Sequence, residues 1–315
     1  MKKALLVMLL ATTLVVIPAF AQKAPVLQSV AFTCQDLQNP FFNVMANAVK
    51  KAAQDIGGSK VKVMAQSCDN DLNKQSQQID DFIAAGAQII VVNATDSNGI
   101  GPAVARAKAV GIVVIASDVT AAGGVDATMT SDNRQAGVIT AEYIAKRLNY
   151  KGNVVAIIGD PNSSIDRFYG FQDVMKKYPN IKILSDTQNG HGRREASMTI
   201  MTDLLTAFPK IDAVWCINDP SALGAMLAIK QANRDKEMFV VGVDGSPDAA
   251  DAMKQPGSIF AASAAQNPYY MAYHAVEVGW QVMNGKIPAN KTELIPVKLI
   301  TQDDVKAGYS GWPSK

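Results

Sequence analysis

Short apolar runs alternate with longer amphipathic segments along this sequence. Val26–Phe32, Val61–Ala65, Ile89–Val92 and Ile112–Ile115 have the length of strands, and the last two are apolar at every position. Between them Met45, Val49, Ala52 and Ile56 recur at helical spacing, and Ile79, Phe82 and Ile83 line a second helix. Asn39-Pro40 opens the first helix and Gly57-Gly58 closes it. An Asn side chain accepts from the unpaired first amides, Pro supplies a helical φ, and glycine reverses the chain. A strand apolar on both faces must be covered on both, which predicts a parallel sheet between helices.

The same order returns from Asn153. Val154–Ile158, Ile181–Leu184, Ala213–Ile217 and Phe239–Val243 read as strands. Phe171–Lys177 and the segment through Ile200, Leu204 and Leu205 read as helices. In the first half one strand ends in Asn93 and another, 25 residues later, in Asp118. In the second half the matching ends are Asn218 and, 26 residues later, Asp244. Each Asn precedes a helix start, Thr95-Asp96-Ser97 and then Asp219-Pro220-Ser221. The reading is an α/β chain of two similar open parallel-sheet lobes. Ligands of such sheets bind at the carboxyl ends of the strands, so facing lobes would make those ends the walls of a cleft.

Composition narrows the partners. The chain has 315 residues, 48% hydrophobic and 18% charged, enough for two lobes with filled cores. Met1–Lys3 is basic, Ala4–Pro18 is an apolar run broken by Thr12 and Thr13, and Ala19-Phe20-Ala21 places small residues where a signal peptidase reads. Residues 1–21 are therefore expected to be an export signal, and the protein periplasmic without stable membrane insertion. Without Lys2 and Lys3 the chain has 28 basic and 28 acidic residues, so neither nucleic acid nor anionic lipid is an expected partner.

Export also changes the reading of the three cysteines, because exported thiols meet oxidising conditions. Cys34 ends the first strand and Cys68 the second. Neighbouring strands would bring the sulfurs together, as a disulfide or as two buried thiols. Cys216 reads as a buried free thiol.

Chemistry-bearing motifs are absent from the sequence. There is no nucleophile elbow, no phosphate-cradling glycine loop and no metal-ligand spacing, and the histidines are only His191 and His274. No catalytic residue, cofactor or metal is expected.

The sequence resembles the ribose-binding-protein type of periplasmic sugar-binding protein. The resemblance rests on Asn39-Pro40-Phe41-Phe42, Val92–Ser97, Ser131-Asp132-Asn133, Asn218-Asp219 with Ala222–Ala225, and Val241–Asp248, in order between Val26 and Asp303. It implies a type 1 periplasmic binding protein, a monomer that closes on a neutral sugar or polyol and delivers it to the permease domains of an ABC importer. By position it implies ligand contacts from Asn39, Phe41, Phe42, Asn93, Asp118 and Ser131 on the first wall. Arg167, Asn218, Asp244 and Gln266 would complete the second wall and hinge. It also implies three crossings, near Ser131, Gln266 and Pro296, with residues 26–131 plus 267–296 in the first lobe and 132–266 plus 297–315 in the second.

The residue types agree with that cargo. Carboxylates, amides and an Arg fork match hydroxyls that donate and accept, and Phe41 and Phe42 offer an apolar surface to a ring face. Simpler roles stand beside these: Asn39, Asn93 and Asn218 as caps, one Phe in the core, Gln266 as a hinge residue. Departures from the ribose type are Val119 in place of Arg, Val243 in place of an aromatic, and Asn189-Gly190-His191-Gly192 where an aromatic wall is usual. They point to another pentose, a hexose or a linear polyol. Two other roles share the architecture: a sugar receptor for a chemoreceptor or sensor kinase, and a lac-repressor-like effector core. The export signal and the lack of a preceding helix-turn-helix count against the latter.

Overall fold

A computed structural model describes residues 26–160 and 164–313. The expected export signal lies outside these residues. The elements run β1(Ser29–Cys34), α1(Pro40–Gly57), β2(Lys62–Ser67), α2(Leu72–Ala84), β3(Ile89–Val92), α3(Gly101–Ala109), β4(Val113–Ser117) and β5(Ala127–Ser131). The chain then forms α4(Asn133–Arg147), β6(Gly152–Ile158), α5(Ser164–Met175), β7(Ile181–Asn189), α6(Arg194–Ala207), β8(Ala213–Cys216), α7(Asp219–Gln231), β9(Phe239–Asp244), α8(Pro247–Lys254) and β10(Phe260–Ala265). It closes with α9(Pro268–Met283), β11(Thr292–Ile295), β12(Lys298–Thr301) and α10(Gln302–Lys306).

Two six-stranded sheets result, ordered β11-β5-β4-β3-β1-β2 and β12-β10-β9-β8-β6-β7. The first is parallel throughout, and in the second only β12 runs antiparallel, on β10. The chain leaves the first sheet after Ser131 and returns to it for β11. It crosses again to place β12 in the second.

The apolar strands have the covering expected of them. Phe32, Ile89, Val91 and Ile115 face α1 and α9 on one side of the first sheet. Their neighbours Ala31, Ile90, Val92 and Val114 face the layer of α2 and α3 on the other. The second sheet repeats this division, with Val155, Val214 and Val240 on one face and Val154, Trp215 and Val241 on the other. Alternation along a strand sends successive side chains to opposite faces, so two helical layers demand apolar residues at every position.

Several helix starts are capped where the sequence places them. Asn39 Oδ1 accepts the Phe41 N–H, and Asn218 Oδ1 accepts the Ser221 N–H. After Asn93 the structure differs from expectation. Thr95-Asp96-Ser97 forms a turn in which Asp96 accepts from Asn98 and Gly99, and α3 begins only at Gly101. The side chain of an Asp can satisfy turn amides as readily as helix amides, and here it does the former.

The disulfide alternative is not realised. Cys34, Cys68 and Cys216 are all free and buried. The Cys68 N–H bonds the Cys34 carbonyl, so the residues are neighbours, but the thiols address the Gln66 and Gln35 carbonyls instead of each other. Burial pushes the Cys34 thiol up to about 12 and raises that of Cys68.

Candidate functional site

A cavity of about 250 Å3 lies where the carboxyl ends of the two sheets face one another. Asn39, Phe41 and Phe42 from the start of α1, with Asp118 and Val119 after β4, line it from the first sheet. Arg167, Asn218, Asp244 and Gln266 line it from the second. Eight of the ten residues expected to contact ligand are therefore brought to one space.

Both wall carboxylates sit on strained backbone. Asp118 has φ 69° and Asp244 φ 134°, a region that side chains with a Cβ seldom adopt and that persists only where the surroundings enforce it. The Asp118 N–H donates to the Met129 carbonyl at 2.7 Å, and the Asp118 carbonyl accepts from Thr130 Oγ1 at 2.7 Å. At Asp244 the enforcement comes from Asp219, which is fully buried at the start of α7. Its carboxylate accepts the Ser246 N–H at 2.7 Å and the Ser263 hydroxyl at 2.5 Å, and Ser263 Oγ accepts the Gly245 N–H at 3.0 Å.

The electrostatics follow from burial around one cation. Burial pushes Asp118 up to about 6, with Asp244 adding to the rise and Arg167 and Asn93 opposing it. Burial raises Asp244 as well, against Arg167 and Gln266. Asp219 is raised by burial and by the nearby Asp244 charge. Gln266 Nε2 donates to Asp244 Oδ1 at 2.7 Å, leaving its own Oε1 buried and without a partner. Arg167 Nε donates to Asn133 Oδ1 at 2.7 Å and Nη1 to the Ile217 carbonyl at 3.2 Å, with Asp244 Oδ1 at 3.5 Å. A buried guanidinium fixed at two points presents its remaining N–H groups in a set direction.

Residues 30–287 match the profile of the periplasmic binding protein domain. The chain belongs to the periplasmic binding protein family. It is 32% identical over 277 residues to the ribose import binding protein of Bacillus subtilis, covering 87% of each chain. It is also 32% identical over 270 residues to the D-apiose import binding protein of Paraburkholderia graminis, covering 84% of each. Among solved structures, an ABC transporter solute-binding protein from Bacillus halodurans with bound myo-inositol superposes with a TM-score of 0.81 at 25% identity. That match covers 91% of this chain and 98% of the other.

Two expected contact residues of this periplasmic binding protein lie outside the cavity lining. Asn93 is fully buried behind Asp118, to whose Oδ2 its Nδ2 donates at 2.9 Å. Its Oδ1 has no partner. Ser131 is buried at the end of β5 with its hydroxyl 4.0 Å from Met271 Sδ, because alternation along β5 turns it toward α9.

Other lining residues carry no sequence signal of their own. Gln35, Asp36, Asn70, Asp160 and Arg193 come from loops at the rim. His191, from the segment where an aromatic wall is usual, is half-exposed and lines the rim, its Nδ1 2.8 Å from Asp160 Oδ1. Asn133, which steers Arg167, stood within the quoted Ser131-Asp132-Asn133 motif. Asp219 stood beside Asn218 and reads from sequence only as a helix-start acid.

Among the described residues no group of His, Cys, Asp and Glu could hold a metal ion, and no helix is long and apolar enough to cross a membrane.

Proposed function

We propose that this protein captures one neutral sugar or polyol between its two sheets and presents it to the permease domains of an ABC importer. The carrying observation is the cavity itself, walled from both sides by buried carboxylates, amides and a fixed guanidinium. Such groups answer the paired donor and acceptor character of hydroxyls. Arg167 and Arg193 against Asp36, Asp118, Asp160 and Asp244 leave no surplus positive charge, which disfavours sugar phosphates and sugar acids. Phe41, Phe42 and Val119 provide the apolar face.

Asn39, Phe41, Phe42, Asp118, Arg167, Asn218, Asp244 and Gln266 act as direct contacts, with Asn93 and Ser131 acting from behind the wall. The lobes divide at residues 131/132, 266/267 and 296/297 and close about these crossings. Residues 1–21 direct export to the periplasm. The cavity binds without catalysis, since its buried wall acids, Asp118 and Asp244, face no nucleophile.

A thermal-shift screen against pentoses, hexoses, linear polyols, cyclitols, nucleosides and amino acids tests this. A ligand at about 100 times its dissociation constant adds about 2.7 kcal/mol to the folded state. A shift from a neutral sugar or polyol, lost in both Asp118→Ala and Asp244→Ala, is expected. A response confined to amino acids or nucleosides would overturn the cargo, and a shift retained in both variants would move the site elsewhere.

A further inference from the structure

The segment after α10 grows from the second sheet, yet Trp312 packs against the core of the first. Its ring meets Phe41 edge to face, centroids 5.3 Å apart at 83°. Its indole N–H donates to the Asp244 carbonyl at 2.6 Å. One side chain thus joins a residue of the first cavity wall to a residue of the second.

The segment is seated before it crosses. Tyr309 Oη donates to the Gly245 carbonyl at 2.6 Å. Gly311, at φ 114°, runs so close to Pro247 that a Cβ would stand 2.7 Å from the proline nitrogen. Trp312 is absent from the lining of the binding cavity. It lines a second cavity of about 200 Å3 with Asn39, Pro40, Pro220 and Pro247. It therefore stands behind the wall that a cargo would touch.

Two sets of contacts hold the strained turn at Asp244. Asp219 and Ser263 engage the amides of Gly245 and Ser246, and the tail engages the carbonyls of Asp244 and Gly245. Separation of the lobes must break either the Phe41 ring contact or the indole hydrogen bond. A contact made only while the lobes are together favours the closed state by its own free energy.

We propose that Trp312 is a positioning residue, an interlobe latch that holds Phe41 and the Asp244 turn in register and biases the cleft toward closure. This rests on the lobes moving about the cleft and is independent of which cargo binds.

Hydrogen exchange read by mass spectrometry tests it on the mature protein, unfolded and refolded to strip any cargo. Peptides spanning residues 36–46 and 240–250 report the two walls, and one spanning 181–189 reports an intact fold. In Trp312→Ala both wall peptides are expected to exchange about threefold faster or more, with 181–189 unchanged. Trp312→Phe keeps the ring and loses the N–H, so it should protect 36–46 while 240–250 stays fast. Acceleration confined to 240–250 in Trp312→Ala, or none in either wall, would overturn the latch. Failure of the cargo proposal shows separately, as wild-type melting that no sugar or polyol shifts.

Discussion

Asn93 donates its side-chain N–H to the Asp118 carboxylate at 2.9 Å, across the ends of two adjacent strands. The amide also donates to the Ser117 carbonyl at 3.2 Å, so one buried side chain anchors both the backbone and the acid of the next strand. Asn93→Ala should lower the unfolding free energy by about 1–3 kcal/mol, the scale for stripping a buried partner. It should also shrink the melting shift caused by cargo. Urea denaturation with an unchanged midpoint would deny the structural half of this expectation.

Asp118 makes stability depend on pH. Its ordinary value is 3.8 and burial pushes it up to about 6, so between those values the folded chain binds more protons than the unfolded chain. The contribution of this group to stability therefore rises as pH falls from about 6 to about 4, and is flat above 6. At neutral pH the ionised acid costs on the order of 3 kcal/mol in the ligand-free protein. Asp118→Asn keeps a residue that tolerates positive φ and removes the charge. It should be more stable than wild type at pH 7, with the difference narrowing toward pH 4. Denaturation series at several pH values measure that difference directly.

Arg167 owes its place to two glycines. At Gly137 a Cβ would stand 1.9 Å from the Arg167 carbonyl oxygen, and at Gly170 it would stand 2.3 Å from that of Arg134. Helices α4 and α5 thus cross with backbones in contact, and a methyl group must push them apart. Gly137→Ala should destabilise the fold by at least about 1–3 kcal/mol and weaken cargo binding, because the guanidinium moves with its helix. Calorimetry showing wild-type affinity in this variant would separate the crossing from the site.

The cysteines are expected to titrate as thiols. Labelling in denaturant should count three per chain, and native labelling near neutral pH should be slow because burial raises all three. A denatured count of one would report a Cys34–Cys68 bridge.

The sequence alone determined the strands β1–β4 and β6–β9 and the level at which the candidate cavity lies, while β5, α4, β10, α9, β11 and β12 carried no expectation. Ile89–Val92 and Val113–Ser117 are strands because no other short structure buries such runs on both faces. Asp118 and Asp244, acids on top of apolar strands, were legible for the same reason, and so was Asn218 as the cap of α7. Period and capping are local properties, carried by residues close in the chain.

Tertiary structure decided the rest. Asn93 shares the strand-end pattern of Asn218, yet it is sealed behind Asp118 because β4 lies beside β3. Ser131 belongs to a matching motif, but its side chain falls on the α9 side of the sheet. The aim of Arg167 depends on a helix crossing that Gly137 and Gly170 permit. Trp312 crosses from one lobe to the other only once both are built. These contacts join residues far apart in the chain, and their free energy exists only when two finished surfaces meet. No local pattern encodes them.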